Sequence, residues 1–356
     1  MQTLAYELLE RRADEGFFNG RSLIIAGGVA DERLIKLALF AAKVQIVTDS
    51  LLTARKMAAA VGQEIGDAAR ARVDYKGATV FFDTAEHAAG ELEEADTLLL
   101  MLDKSKAQSA KCLKLLSRKL TGDKLILACG ENTAGGRSAG TLLAPFGEPY
   151  KEDSRRKSTL FAVKLAKPIP EYQPMENIEC DLGGQTLTLA QDEAVFSGGR
   201  IDPGTAMLLE CLKDTKPASA LDLGCGCGVV GITLKKLGAA EVVSSDISAA
   251  ALALTGKNAA LNGVKLQVRA ADMLSFGGKY DLIAVNPPFH QGLGVERQGA
   301  LNMIKEAGAH LRAGGALYLV GNTFLGYEKF LKESFKSVEC LKKNTRYLVY
   351  RASDPL

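Results

Sequence analysis

The sequence predicts two tandem α/β domains, each an open, mostly parallel sheet flanked by helices, and three observations carry that prediction. In the second half, four short apolar runs in succession read as strands, and each ends at a polar or glycine-rich turn. The order strand, glycine, helix, strand, acid found there also occurs in the first half. Between the two halves, Lys164 to Asn177 carries Pro168, Pro170 and Pro174 in a polar stretch that reads as an extended linker. The expected division is a first domain at 1–165, a linker at 166–176 and a second domain at 177–356. With 356 residues there is room for two domains of about 150 to 200 residues.

In the first half, Ser22-Leu23-Ile24-Ile25-Ala26 is an apolar strand running into Gly27-Gly28. Asp31 to Phe40 reads as a helix, and Val44 to Asp49 as a second strand ending in an acid. Ala95 to Leu102 is a late apolar strand, followed by Asp103-Lys104. The glycine run is short, so this domain reads as a catalytically degenerate copy of the second; the rival is a separate nucleotide site using Gly27, Gly28 and Asp49. Toward its end lies the densest basic segment, with Arg137, Lys151, Arg155, Arg156 and Lys157. It reads either as a solvated charged loop or as a surface for a polyanion.

In the second half, Val195 to Thr205 is a glycine-bearing loop leading into a helix with Ala206, Leu208, Leu209 and Leu212. Asp202 or Thr205 would there reach a bound cofactor, or Pro203 and Thr205 simply cap the helix. Ala220-Leu221-Asp222-Leu223 is a buried strand entering the turn Gly224-Cys225-Gly226-Cys227-Gly228, with an apolar helix after it. Glycines let a backbone approach a ligand closely, and the helix start offers unpaired N–H groups. Glu241 to Asp246 is the next strand; its terminal carboxylate suits ribose hydroxyls of nicotinamide and adenosyl cofactors alike. Lys265 to Ala270 is a third strand, ending at Ala271-Asp272, where the carboxylate or backbone could meet an adenine amine. Tyr280 to Val285 is a fourth, ending in Asn286-Pro287-Pro288-Phe289-His290. Prolines stiffen that turn and lack N–H donors, leaving its carbonyls for a ligand's donor. An amide oxygen and a backbone carbonyl can accept both hydrogens of an exocyclic amine while Phe289 stacks on its ring. Ligands of open α/β sheets bind at the carboxyl ends of strands, so Asp222 with its glycines, Asp246, Asp272 and Asn286 should converge on one crevice.

This ordered set resembles the class I S-adenosylmethionine-dependent methyltransferases, with Asn286 to Phe289 matching the Asn-Pro-Pro-Tyr/Phe motif of their amine-methylating branch. The chain as a whole resembles the ribosomal RNA guanine-N2 methyltransferases, in which a degenerate methyltransferase-like domain precedes an active one. The likeness is greater to the small-subunit enzymes than to their large-subunit relatives. It rests on Gly130-Glu131-Asn132 with Gly136-Arg137-Ser138-Ala139, Asp153 to Arg156, Val195-Phe196-Ser197 with Asp202 and Gly204, and Asp246-Ile247-Ser248. Gly321 to Tyr327 and Arg346 to Ala352 complete it, so that coverage runs from near residue 90 to the C-terminus.

The resemblance implies two Rossmann-like domains, S-adenosylmethionine as cofactor and methylation of a guanine N2 amine in ribosomal RNA, 16S first with 23S as the alternative, since the motif after Asn286 does not choose the subunit. It assigns Asp222, Gly224, Cys225, Gly226, Gly228, Asp246, Ile247, Asp272, Asn286 and Thr205 to the cofactor. The chemistry falls to Asn286, Pro287 and Phe289. Arg137, Arg155, Arg156, Lys157 and His290 are the candidate RNA contacts; His290 could accept a proton but fits a structural hydrogen-bonder better. Three other functions stay open: methylation of a protein glutamine amide, whose similar motif usually has tyrosine where Phe289 stands, non-catalytic RNA binding, and methylation of a small-molecule amine.

Composition sets bounds. The chain is 47% hydrophobic and 24% charged with a net charge of +2, so any RNA surface must be a local patch. Seven cysteines without paired ligand spacing suggest reduced thiols in a cytoplasmic enzyme and no metal site. The resemblance implies ribosomal RNA or a ribosomal subunit as partner, and a monomer is expected. Glu7, Glu10, Arg11, Arg12 and Asp14 interrupt any secretory apolar core, and no apolar run reaches the ~20 residues that span a bilayer.

Overall fold

A computed structural model of the protein describes residues 3–103, 105–195, 201–287 and 294–356, with side chains in the last span from 299 onward. The chain separates into two compact units, Met1–Pro174 and Met175–Leu356.

The described residues of the first unit form an eight-stranded sheet in the order β3-β4-β2-β1-β5-β6-β8-β7. Its strands are β1 (Ser22–Gly27), β2 (Lys43–Thr48), β3 (Ala71–Tyr75), β4 (Ala78–Phe82), β5 (Ala95–Met101), β6 (Leu120–Glu131), β7 (Tyr150–Arg155) and β8 (Ser158–Lys164). β1, β2, β4, β5 and β6 run parallel, whereas β3, β7 and β8 pair antiparallel to their neighbours. The stretch after β1 is a tight 3-10 helix, Glu32–Leu39, rather than an α-helix over Asp31 to Phe40. Its buried residues Leu34 and Leu37 are three apart, which three residues per turn place on one line, and Asp31 caps it by accepting from Arg33 N.

The second unit opens with a hairpin, β9 (Ile178–Leu182) and β10 (Gln185–Leu189), joined by Gly183 and Gly184, both in the left-handed region that a two-residue hairpin turn requires. A seven-stranded sheet follows in the order β13-β12-β11-β14-β15-β17-β16. Its strands are β11 (Ser219–Leu223), β12 (Glu241–Asp246), β13 (Gln267–Ala270), β14 (Tyr280–Val285), β15 (Leu311–Asn322), β16 (Phe335–Lys343) and β17 (Tyr347–Pro355). β13 is shorter than Lys265 to Ala270, because only Gln267 to Ala270 find partners, on Val243 to Asp246 of β12.

Both sheets follow one plan. The first strand is central, the next parallel strands step to one side, the following two step to the other, and the last strand inserts antiparallel before the outermost. In the second unit, Leu223 lies beside Ser245 of β12 and Val285 of β14, and Asp246 beside Ala270. The strand ends that carry the candidate residues therefore lie next to one another. The pleat sends alternate residues to opposite cores: Ala220 packs with Leu208, Ile232 and Val320, whereas Leu221 and Leu223 pack with Ile283, Ile304 and Leu331. By that alternation Asp222 faces the helix Val229–Lys236.

Candidate active site

The base of the site is the turn from β11 into the helix Val229–Lys236. Gly224, Gly226 and Gly228 have φ of +71°, +54° and +79°, which residues with a Cβ avoid. The turn is held from outside: Gly224 N and Cys225 N both donate to Ser245 O at 2.9 Å. Thr255 Oγ1 donates to Gly226 O at 3.1 Å, and Asn258 Nδ2 to Cys227 O at 2.9 Å. Both side chains come from the helix Ala249–Leu261. Neither was anticipated, although a Thr and an Asn three apart on the buried side of an apolar helix are a readable signal.

The ligand side of the turn is open. A Cβ on Gly224 would meet nothing within 4 Å, and one on Gly226 only Val195 Cγ1 at 4.0 Å. Gly228 differs, because its Cβ would lie 2.8 Å from Thr255 Cγ2; it serves packing. The corresponding bend of the first unit is filled by its own chain. Gly27 and Gly28 pack so closely on the end of β5 that added Cβ atoms would fall 2.5 Å from Met101 O and 2.7 Å from Asp103 Cβ. Gly28 N donates to Met101 O at 2.7 Å, which closes the bend. Leu102 and Asp103 stand there in place of an amide and prolines.

Asp246 ends β12 with its carboxylate on the glycine turn. Oδ2 accepts from Gly226 N and Oδ1 from Ser248 N, each at 3.0 Å. Burial raises its pKa, and backbone hydrogen bonds from Gly226, Ser248 and Ile247 oppose that rise. Ile247 beside it is 39% exposed and offers an apolar face at the rim. Asp272 is exposed at the exit of β13. Cys225 is buried, its thiol pushed well up by burial, so it serves the turn through its backbone rather than as a nucleophile.

Asp222 is not brought into the crevice. It lies beneath the turn, its Oδ2 accepting from Gly231 N at 2.9 Å and lying 3.5 Å from Ser244 Oγ, and full burial pushes its pKa up to about 7. The period-two pleat dictates this placement, so its expected cofactor contact gives way to a structural one.

Asn286 sits where β14 ends. Its Nδ2 donates to Asp202 Oδ2 at 2.9 Å and to Thr205 Oγ1 at 2.8 Å. Those two acceptors fix the amide's orientation. Its Oδ1 is buried and has no hydrogen-bond partner among the described residues. Asp202 caps the helix Pro203–Leu212, accepting from Thr205 N at 2.8 Å. Tyr347 OH donates to the other Asp202 oxygen at 3.5 Å, and burial, followed by the Asp202 charge, raises the phenol's pKa and keeps it a donor. Thr205, expected at the cofactor, is thus engaged with Asn286, and the alternatives of functional loop and helix cap hold together in one network. Pro287 is buried directly after Asn286. Phe289 and His290, with Pro288 and the loop Phe196 to Arg200, lie outside the described residues. Arg137, Arg155, Arg156 and Lys157 belong to the other unit.

The open glycine cradle, the Asp246 carboxylate and the Ile247 face suit an adenosyl group, and the unpartnered Asn286 oxygen suits a donor presented beside it. The chain matches the family described as "Methyltransferase small domain" over residues 186–351 and "Methyltransferase small domain N-terminal" over residues 7–177. It is 32% identical over 350 residues to the Ribosomal RNA small subunit methyltransferase C of Aeromonas hydrophila, covering 97% of this chain and 96% of that protein. The protein of the same name from Pseudomonas entomophila is 36% identical over 280 residues, covering 77% of this chain and 84% of that one. Among solved structures, the T. thermophilus 16S rRNA N2 G1207 methyltransferase in complex with AdoMet and guanosine superposes with a TM-score of 0.77 at 25% identity, covering 95% of this chain and 88% of that chain.

Proposed function

This chain belongs to the Ribosomal RNA small subunit methyltransferase C family, and from that premise we propose that its second unit methylates the exocyclic N2 amine of a guanine in 16S rRNA, using S-adenosylmethionine. The observation that carries the chemistry is the Asn286 amide, its Nδ2 tied to Asp202 and Thr205 and its Oδ1 buried without a partner among the described residues.

When bound, S-adenosylmethionine supplies an electrophilic methyl group on a sulfonium. The turn Gly224 to Gly228, Asp246, Ile247 and Asp272 would hold it. The guanine amine is a weak nucleophile because its lone pair is delocalised into the ring. Asn286 Oδ1 and the Pro287 carbonyl accept its two hydrogens and favour a pyramidal nitrogen with its lone pair exposed. Asp202, Thr205 and Tyr347 keep the Asn286 amide from rotating, so the acceptor stands ready before substrate arrives. Phe289 would stack on the base. No strong base is needed, because the amine proton becomes acidic only as the new bond forms; catalysis is chiefly positioning within about 3 to 3.5 Å. A guanine paired in a helix hides this amine, so the target is unpaired or flipped out.

The division of labour follows: 177–356 performs the chemistry, and 1–165, whose own bend is filled, serves RNA. We place the enzyme in the cytoplasm as a monomer. None of the seven cysteines is disulfide-bonded, and no helix among the described residues is long and apolar enough to cross a membrane.

The test is labelled S-adenosylmethionine with ribosomal subunits from a strain lacking the enzyme. Wild type should label the RNA of the small subunit. Asn286→Ala should lower the rate about 100- to 1000-fold, a far larger loss than any in calorimetric affinity for S-adenosylmethionine. Label in a protein fraction, or in the large subunit alone, overturns the reading.

A further inference from the structure

The first unit carries a cavity of about 320 Å³ at the C-terminal end of β6, bounded by the β7–β8 hairpin and the 3-10 turn Gly136–Ser138. We propose that this cavity is a phosphodiester-binding site through which the first unit grips single-stranded backbone of the RNA substrate; the proposal rests on the rRNA reading of the second unit.

The charge on its walls is one-sided. Arg137, Lys151, Arg155 and Lys157 line it and make no ion pair or side-chain hydrogen bond among the described residues. A further lining cation, Arg156, meets Glu7 at 2.8 Å, and no carboxylate lines the cavity among the described residues. Glu152 and Asp153 lie on β7 between Lys151 and Arg155 and would neutralise them. They are instead occupied by Arg12 and Arg11 of the helix Leu4–Asp14. Pairing the acids on one side leaves the unmatched cations on the other.

Neutral donors complete the walls. Ser158 is 1% exposed and its Oγ has no hydrogen-bond partner among the described residues. Asn132 Oδ1 accepts from Thr159 Oγ1 at 2.8 Å, which leaves its Nδ2 as the end for a ligand. Gly136 packs on the end of β6 so tightly that a Cβ would lie 2.4 Å from Gly130 O, and this seats Arg137 at the rim. Among the described residues neither an aromatic ring nor a large aliphatic side chain lines the cavity, so it suits phosphate and sugar rather than bases.

The hairpin tip bears strain that stability alone would remove. Arg156 and Lys157, the two central residues of the β7–β8 turn, have φ of +43° and +67°. Such a turn favours Asn-Gly, and two bulky residues there are outliers. What they contribute is two cations at the cavity mouth.

The position in the fold agrees. Asn132 N donates to Lys157 O at 2.7 Å, just as Thr323 N at the end of β15 donates to Arg346 O at 2.9 Å. In the second unit that corner supplies Tyr347, which reaches Asp202 and so the Asn286 network. The first unit has filled its cofactor bend but kept the corner on the substrate side.

The test titrates the full-length protein with unmodified 16S rRNA across a salt series, comparing wild type with the Arg155→Ala, Lys157→Ala double variant. Each phosphate contact on single-stranded RNA contributes about 0.7 to the slope of log affinity against log salt, so a fourfold rise in salt should weaken the variant about sevenfold less than wild type. KM for rRNA should rise while S-adenosylmethionine affinity and kcat hold. Lys56→Ala, which removes an exposed cation on the helix Leu51–Ala60, should leave the slope unchanged. Equal slopes for wild type and double variant, or as large a change from Lys56→Ala, overturn the site. Failure of the rRNA reading shows separately, as wild type that leaves small-subunit RNA unlabelled.

Discussion

Replacing Asp222 by Asn should stabilise the second unit at neutral and alkaline pH, by an amount that depends on pH in a defined way. Burial holds the carboxyl at a pKa of about 7 against an ordinary 3.8, despite hydrogen bonds from Gly231 N and Ser244 that oppose the rise. At ~1.4 kcal/mol per pH unit, that gap makes the ionised carboxylate cost the fold roughly 4 kcal/mol. The folded value lies above the unfolded one, so protonation favours the folded state. The contribution is fully present below about pH 4, declines while only the unfolded chain ionises, and is lost above about pH 7. The amide oxygen of the Asp222→Asn variant, standing where Oδ2 does, would still accept from Gly231 N, with Ser244 Oγ 3.5 Å away as a second donor. Unfolding free energies of the second unit from urea titrations between pH 4 and 8 should therefore converge for the two proteins near pH 4, separate by ~1.4 kcal/mol per pH unit up to about pH 7 and stay apart above it, with the variant the more stable at pH 8. S-adenosylmethionine affinity should be unaltered, because Asp222 lies under the turn. A difference that stays constant across that range would refute the argument, since it would mean that Asp222 is ionised in the fold throughout.

Two further outcomes are expected. Arg156→Asn combined with Lys157→Gly relieves the left-handed turn and should add about 1 to 2 kcal/mol of stability, or roughly 2 to 8 °C in Tm, while weakening rRNA binding; a lower Tm in calorimetry would remove the strain argument. In a native thiol titration Cys340, which is exposed, should react first and Cys225, buried with a raised pKa, only on unfolding, so Cys340→Ser should abolish the fast phase.

Much of the second unit is legible in its residues. Glu241 to Asp246 and Tyr280 to Val285 coincide with β12 and β14, because buried parallel strands are bounded apolar runs. That same property concealed Asp222: in a strand buried on both faces the pleat leaves no visible alternation, so the carboxylate reads as a strand-end ligand. The hairpin at Gly183-Gly184 carried its own turn signal and went unread. Asp202 and Thr205 were marked as a loop near the site, but their grip on Asn286 links residues 84 and 81 positions apart and exists only in the fold. The basic segment of the first unit was equally plain. What sequence could not show is that its neighbouring acids are taken by arginines from the N-terminal helix, as far away as 142 positions.

The shared sheet plan also bears on how the chain reaches its native state. In each large sheet the central strand is made first, and β1 or β11 must wait for its second neighbour, β5 or β14, from much later in the sequence, so both units fold through distant contacts. Two such units in one chain expose the same kind of apolar parallel strand edge while incomplete, and either could recruit a strand of the other. Synthesis from the N-terminus avoids this, because β8 has emerged and sealed the first sheet before β11 exists. A chain diluted from denaturant has no such head start: all its strands compete at once, and the likeness of the two sheets becomes a source of misassembly.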